Sequence, residues 1–300
     1  MALSGERVEF SSGSNCLIGH LFKPGDGRRG VIVTGSWTTV KEQMADLYAR
    51  RLAEKGFTAL TFDFGNFGES EGEPRQFEDP DSKIRDIVAA ACWLTGREDV
   101  EGDSVAGLAI CASAGYMSEA IAAGAPIDSF ATVAAWLHDA GTVGEVYGGE
   151  KGVADKKRDG EQAQQAYEAT GEVRFVPAYS DTDPKAAMGE MVKPYYGDPE
   201  RGAIPQWDNR FAVMSWLGWL DFDPIARAPQ ISVPTLMVHS EKAAFPDNVR
   251  RFDAKLAGPR RLMWTEGAQL DFYDQPKQVD AAVDAVVEHF SATQPQETMV

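Results

Sequence analysis

The stretch GLAICASAGYMSEA (residues 107–120) decides the fold, because it changes from a short apolar run into small residues and then into a helix-like pattern. A strand-to-helix turn that presents a nucleophile needs small residues two positions before and two positions after it. Cys111 and Gly115 meet this need around Ser113. The stretch therefore predicts a strand, a sharp turn that exposes the Ser113 hydroxyl, and a helix whose amino end favours negative charge.

Two other interpretations of this turn stay open. The small residues could simply allow the helix to pack close to the strand. Cys111 is a rival nucleophile, with Ala109 and Ser113 at the two flanking positions. Its place at the end of a strand predicts a buried thiol, and buried thiols are usually inert, so Ser113 is favoured.

Short β-rich runs alternate with amphipathic segments of helical length along most of the chain. GVIVTG (30–35) and VPTLMVHS (233–240) predict buried strands, and KEQMADLYARRLAEKG (41–56) predicts a helix. RVEFSS and CLIGHLFKP near the amino terminus predict an opening antiparallel pair. This alternation predicts an α/β fold with a mostly parallel, twisted sheet and helices on both faces.

A polar and then Trp-rich block interrupts the alternation, and it predicts a mostly helical lid insertion, called here the cap segment. We expect the insertion to lie over the carboxyl ends of the strands. The expected division of the chain is a first core part at 1–136, the cap segment at 137–229, a second core part at 230–292 and a disordered tail at 293–300.

Three motifs make the chain resemble an α/β hydrolase of the dienelactone-hydrolase-like and peptidase-like branch. They are VTGSWTTVKEQ (33–43), DFGNFGES (63–70) and ICASAGY (110–116). The resemblance covers about residues 7–290 and implies the α/β-hydrolase fold with a serine nucleophile. It also implies an oxyanion hole of two backbone N–H groups, carried over to Ala114 and to Ser36 or Trp37.

The acid and the histidine that assist a hydrolase nucleophile are both missing from their usual positions. The acid position reads Ala243 and the histidine position reads Gln269, whose amide cannot accept a proton at neutral pH. His138 is the candidate base, because it follows the strand after the turn and the ends of neighbouring parallel strands open to one crevice. Asp139, or less favourably Asp271, would orient it, while a structural role for His138 stays equally open. Of the other histidines, His20 is expected at the sheet edge far from the turn, and His289 as a surface or helix-end residue. His239 is expected to have a structural role.

These features predict a serine hydrolase that acts on a small apolar ester, thioester, lactone or amide through an acyl-enzyme on Ser113. The alternatives are a cofactor-free lyase, isomerase or cyclase that uses the same oxyanion pocket, and a non-catalytic homologue that binds a small molecule. The residues expected to line the substrate pocket are Trp37, Trp136, Trp207, Gln269 and Asp271.

The composition narrows the classes of partner. Lys and Arg number 29 against 46 Asp and Glu, giving a net charge of −17, and such a surface repels nucleic acid and anionic membranes. No apolar run of about 18 residues and no secretory signal are recognised. Three irregularly spaced cysteines fit a reducing cytoplasm. We expect a small-molecule substrate, no cofactor and no metal, and a homodimer stays open.

Overall fold

A computed structural model describes residues 3–24 and 29–294 of the chain. The strands within these ranges are β1 (Glu6–Ser12), β2 (Asn15–Phe22), β3 (Gly30–Thr34), β4 (Thr58–Phe62), β5 (Val105–Ile110), β6 (Ile127–Val133), β7 (Phe175–Val176), β8 (Phe211–Ala212), β9 (Thr235–Lys242) and β10 (Arg260–Ala268). The α-helices are α1 (Met44–Glu54), α2 (Pro80–Thr95), α3 (Ser113–Ala122), α4 (Val143–Val146), α5 (Gly149–Thr170), α6 (Lys193–Tyr196), α7 (Ser215–Asp221), α8 (Pro246–Lys255), α9 (Asp271–Asp274) and α10 (Pro276–Ala292).

The main sheet has the strand order β1-β2-β4-β3-β5-β6-β9-β10. β1 and β2 pair antiparallel, as the opening runs predict, and β2 is also antiparallel to β4. The remaining neighbours pair parallel, which confirms the predicted mostly parallel sheet. Every residue of β3, β4 and β5 is buried, as expected of apolar strands covered on both faces.

Helices cover both faces of this sheet. On one face α1 packs against α10, and on the other α2 packs against α3. The start of α2 follows local chemistry, because the Asp79 carboxylate accepts a hydrogen bond from the N–H of Ser82 and Pro80 stands in the first turn. The two layers hold the carboxyl ends of β3, β5, β6 and β9 at a common edge, where the candidate site lies.

The cap segment runs between β6 and β9 and contains α4 to α7 and the two-stranded pair β7–β8. Its longest helix, α5, buries few residues and packs against α7. Over the described ranges, none of the helices has the length and apolar character needed to cross a bilayer.

The start of the expected disordered tail needs correction. Thr293 follows α10 directly, and its hydroxyl oxygen lies 2.7 Å from the Ser129 hydroxyl and donates to the carbonyl of His289 at 2.8 Å. Residue 293 is therefore attached to the core by the helix that precedes it. The last six residues of the expected tail lie outside the described residues.

Candidate functional site

The turn between β5 and α3 places Cys111, and not Ser113, at its apex. β5 ends at Ile110, and Cys111 has φ of +60°, a left-handed conformation that non-glycine residues rarely adopt. The residues two positions away are Ala109 and Ser113, both small enough for the sharp bend. This strained backbone between a strand and a helix is the geometry expected of a nucleophile.

The Ser113 hydroxyl is enclosed in the core, which contradicts its predicted role as the exposed nucleophile. Ser113 is 0% exposed, and its Oγ donates to the carbonyls of Ile110 and Thr34 at 3.1 and 3.0 Å. The same oxygen accepts from the N–H of Ile110 at 3.1 Å. As the first residue of α3, Ser113 fastens the turn to β3 and has no free path to a substrate.

The imidazole of His138 is held by the cap segment and does not act on Ser113. Its Nε2 lies 2.8 Å from the carbonyl of Trp219, and its Nδ1 accepts from the indole N–H of Trp136 at 3.1 Å. Burial lowers the pKa of His138, which keeps the ring neutral. Both nitrogens are therefore engaged, and the structural interpretation replaces the predicted base.

The other residues predicted to assist Ser113 also have local structural roles. Asp139 accepts from the N–H groups of Gly141 and Thr142 at 3.0 Å, which closes the turn before α4. Asp271 accepts from the N–H of Ala268 at 2.8 Å, and Ala114 donates its N–H to the carbonyl of Cys111 at 3.2 Å. The Ala114 donor is consequently used inside the turn and is not available to an oxyanion.

Neutral hydrogen-bonding groups surround the Cys111 thiol. Burial raises the pKa of Cys111, and hydrogen bonding to Ser36, to Tyr273, to the backbone of Ala112 and to Gln269 opposes this rise. Ala112 follows Cys111 directly in the chain, and its backbone is one of the groups that lower the pKa of the thiol. Ser36 and Gln269 come from the predicted loops, whereas Tyr273 was missed because a tyrosine in a helix carries no sequence signal for such a role.

A chain of hydroxyl groups extends from the thiol into the cap segment. The Ser36 Oγ lies 3.1 Å from the Tyr273 hydroxyl and accepts from the Tyr196 hydroxyl at 3.3 Å. Burial raises the pKa of both tyrosines well above the ordinary value, so both phenols stay protonated at neutral pH. The chain can donate and accept hydrogen bonds, but it contains no group that is a base at pH 7.

The tryptophans predicted to line the pocket make different contacts around the site. Trp37 stacks on Trp219 with ring centroids 4.7 Å apart, and the indole N–H of Trp207 donates to the carbonyl of Thr38 at 2.8 Å. Trp136 donates its backbone N–H to the carbonyl of Cys111 at 2.9 Å. Cys111 itself is only 4% exposed, so its thiol is covered in this structure.

A buried ion pair supports the loop that carries Ser36 and Trp37. The carboxylate of Glu78 accepts from the N–H of Thr38 at 3.0 Å and from the Tyr116 hydroxyl at 2.7 Å. Its Oε1 also pairs with the ammonium of Lys83 at 2.6 Å, and both side chains are almost fully buried. Thr38 has φ of +60°, so the carboxylate fixes a strained part of the loop.

A buried lysine contacts a cluster of metal-ligand residue types. His20, Glu42 and Glu69 place possible ligand atoms within 4.8 Å of one another. The ammonium of Lys41 pairs with both glutamates at 2.7 Å and with Asp63 at 2.8 Å. Because this fully buried cation already pairs with both glutamates of the cluster, we assign no metal to it.

His239 is a buried histidine in β9 whose pKa is lowered by the fold. Its imidazole is buried in β9, its Nε2 donates to the carbonyl of Ala244 at 3.1 Å, and its Nδ1 has no hydrogen-bond partner within the described ranges. Burial lowers the pKa of His239 to about 4. The folded protein therefore holds this ring neutral in mild acid.

Acid is expected to destabilise the protein through His239. The unfolded chain takes up a proton at this residue near pH 6.5, whereas the folded protein does so only near pH 4. The free energy of unfolding should consequently fall by about 3 kcal/mol as the pH decreases through this window. Urea unfolding of the wild type and of His239→Gln at both pH values measures the difference.

His20 provides a control, because its contribution to stability changes with pH in the direction opposite to that of His239. A hydrogen bond to Asp46 raises the pKa of His20, so its contribution to stability is complete in acid and is lost as the pH rises through the raised pKa. His20→Gln should therefore lower stability most at the acidic end, where His239→Gln lowers it least. Parallel pH profiles for the wild type and His239→Gln would contradict the assignment.

The chain is similar to proteins of several kinds over nearly its whole length. No family model matches it. The uncharacterised protein YcjY of Escherichia coli K12 is 29% identical over 85% of each chain. The acyltransferase drtE of Aspergillus calidoustus is 23% identical over 95% of this chain and 94% of its own. The solved structure of the hydrolase GrgF from Penicillium sp. sh18 matches with a TM-score of 0.82 at 19% identity, covering 96% of this chain and 98% of GrgF.

Proposed function

We propose that this chain, which has the α/β-hydrolase fold, is an acyl-transfer enzyme with Cys111 as its nucleophile. The observation that carries the proposal is the left-handed backbone of Cys111 at the apex of the turn between β5 and α3. A thiol is intrinsically more nucleophilic than a hydroxyl and depends less on a neighbouring base. This property suits a site in which His138 and Ser113 are both engaged elsewhere.

Backbone donors would stabilise the charge that develops during the reaction. The N–H of Ala112 follows the nucleophile, and the loop after β3 supplies a second N–H from Ser36 or Trp37. Removing one such donor from an acyl-transfer site typically reduces the rate by about 10²- to 10³-fold. The hydrogen bond from Thr38 to Glu78 supports this proposal, because it fixes the loop that would carry the second donor.

The chemistry of the leaving group favours thioesters among the possible acyl donors. A leaving thiolate is far less basic than an alkoxide, so it needs no strong general acid, whereas an alkoxide does. The groups around Cys111 are neutral. The name of the acyltransferase from Aspergillus calidoustus is in keeping with acyl transfer on this fold. We propose the cap segment, 137–229, as the cover that closes on the acyl group.

Acylation of the protein by a thioester tests the proposal. The octanoyl thioester of N-acetylcysteamine, incubated with the full chain at pH 7.5, is expected to add one octanoyl group, which peptide mass spectrometry should assign to Cys111. Cys92, which is exposed on α2, is the internal control for nonspecific transfer. Octanoyl groups on Cys92 alone, or on neither residue, would contradict the proposal.

One observation favours a second candidate, a cofactor-free lyase, isomerase or cyclase. Two protonated phenols, Tyr196 and Tyr273, meet at Ser36 beside the thiol, and such donors can stabilise an enolate without an acyl-enzyme. In that case Cys111→Ala would retain turnover of a carbonyl substrate, whereas Tyr273→Phe would lose it.

A further inference from the structure

Gln269 occupies the place where the fold usually supplies a base, and its amide is fixed at both ends. Its Oε1 accepts from the N–H of Ala244 at 2.9 Å, and its Nε2 donates to the carbonyl of Ala134 at 2.7 Å. An amide does not accept a proton at neutral pH, and this one also has no freedom to turn. Gln269 therefore shapes the site without activating a water molecule.

No imidazole within the described ranges replaces Gln269 beside Cys111. His138 is bonded to Trp136 and Trp219, and His289 lies between Ser129 and the carbonyl of Phe130. The remaining two rings, described above, contact Asp46 and the carbonyl of Ala244.

The carboxylate of Glu78 is also engaged with other groups. Its oxygens already accept from Tyr116 and Thr38, and it pairs with the Lys83 ammonium. The groups that lower the pKa of the Cys111 thiol are the neutral Ser36, Tyr273, Ala112 and Gln269.

The lack of a base beside Cys111 affects the two steps of an acyl-transfer reaction, acylation and deacylation, differently. In the first half the Cys111 sulfur attacks the thioester carbon, the bond to the departing sulfur breaks, and that thiolate receives the proton that Cys111 lost. In the second half water would have to lose a proton as it attacks, and general-base assistance to such a step is typically worth about 10²- to 10⁴-fold. A thiol acceptor attacks as its thiolate and needs no such assistance.

We infer that the acyl group on Cys111 is passed to a thiol acceptor and not to water, so that the enzyme exchanges acyl groups between thiols. The inference rests on the proposed function and names its acceptor. Both steps balance without a further reactant, since each forms one thioester, breaks one thioester and moves one proton between sulfur atoms.

The decay of the octanoyl-enzyme tests the inference. After removal of excess thioester, intact-protein mass spectrometry follows the loss of the octanoyl group at pH 7.5 in buffer, with N-acetylcysteamine, or with N-acetylethanolamine. The last two acceptors differ only in sulfur against oxygen. We expect the thiol to accelerate decay by about 100-fold or more over buffer and the alcohol to have no effect, because only the alcohol needs a base.

A variant that restores an imidazole provides the complementary measurement. Gln269→His is expected to accelerate decay in buffer alone by about 10-fold or more, because a ring at this position can take a proton from water. Cys92→Ser is the matched control and should decay like the wild type.

The possible outcomes separate the inference from the proposed function. Rapid decay of wild-type octanoyl-Cys111 to free octanoic acid in buffer, unaffected by thiol, would overturn the inference and leave the cysteine nucleophile in place. Failure of Cys111 to acquire an octanoyl group would overturn the proposed function and the inference with it. Equal acceleration by the alcohol and the thiol would show that the site contains an effective base and would also overturn the inference.

Discussion

Cys111→Ala is expected to abolish formation of the octanoyl-enzyme and to reduce any acyl transfer by about 10³-fold or more, since the nucleophile itself is removed. Cys111→Ser should be almost as inactive. A serine hydroxyl needs a base to become nucleophilic, and the neutral groups around this position supply none. Rates of thiol release from the octanoyl thioester, followed with a thiol-reactive dye, measure both variants.

Ser113→Ala is the matched control for this prediction. It removes the hydroxyl that bonds to the carbonyls of Ile110 and Thr34, so it should lower the free energy of unfolding by about 1–3 kcal/mol. It should nevertheless retain octanoylation of Cys111. If Ser113→Ala lost the adduct while remaining folded, and Cys111→Ala kept turnover, Ser113 would be restored as the nucleophile.

Lys83→Met is expected to have the largest effect on stability. The ammonium of Lys83 pairs with Glu78 at 2.6 Å and lies over the rings of Phe64 and Phe67, at 4.6 and 4.4 Å from their centroids. Removing one partner of a buried ion pair leaves the other charge uncompensated and typically costs about 3–5 kcal/mol. Urea unfolding at pH 7 measures the loss.

A second variant distinguishes the effect of the unpaired charge from the effect of lost packing at Lys83. Glu78→Gln combined with Lys83→Met removes both charges, so the double variant should be more stable than Lys83→Met alone. Lys55→Met, which removes an exposed partner of Asp284, should leave the unfolding midpoint unchanged. A double variant less stable than Lys83→Met would show that packing, and not the unpaired carboxylate, determines the loss.

Much of the fold follows from periodicity that is visible in the sequence. The antiparallel β1–β2 pair, the buried β3 and β5, and the helix after the turn were all predicted from apolar runs and their spacing. These features depend on residues close together in the chain, which is why local patterns indicate them. The structure of the cap segment was predicted only as mostly helical, since its contacts with the core are nonlocal.

The candidate site was predicted less well, and two physical reasons explain this. Small residues flank both Cys111 and Ser113, so spacing could not choose between them, and the choice depends on where β5 ends and on a positive φ. The role of His138 depends on Trp219, which is 81 residues away in the chain. Gln269 was assigned to the histidine position from the resemblance alone, and in the structure its amide bonds to Ala244 and Ala134.

Under the proposed function, the placement of Tyr196 in the cap segment would make access and reactivity mutually exclusive. Its hydroxyl reaches Ser36, which belongs to the core loop beside the thiol. If this part of the proposed cover opened to admit an acyl donor, the network would lose the Tyr196 hydroxyl and would be complete again only after closure. Bond making would then be confined to moments when bulk solvent is excluded, which protects a reactive thioester from a wasteful encounter with water.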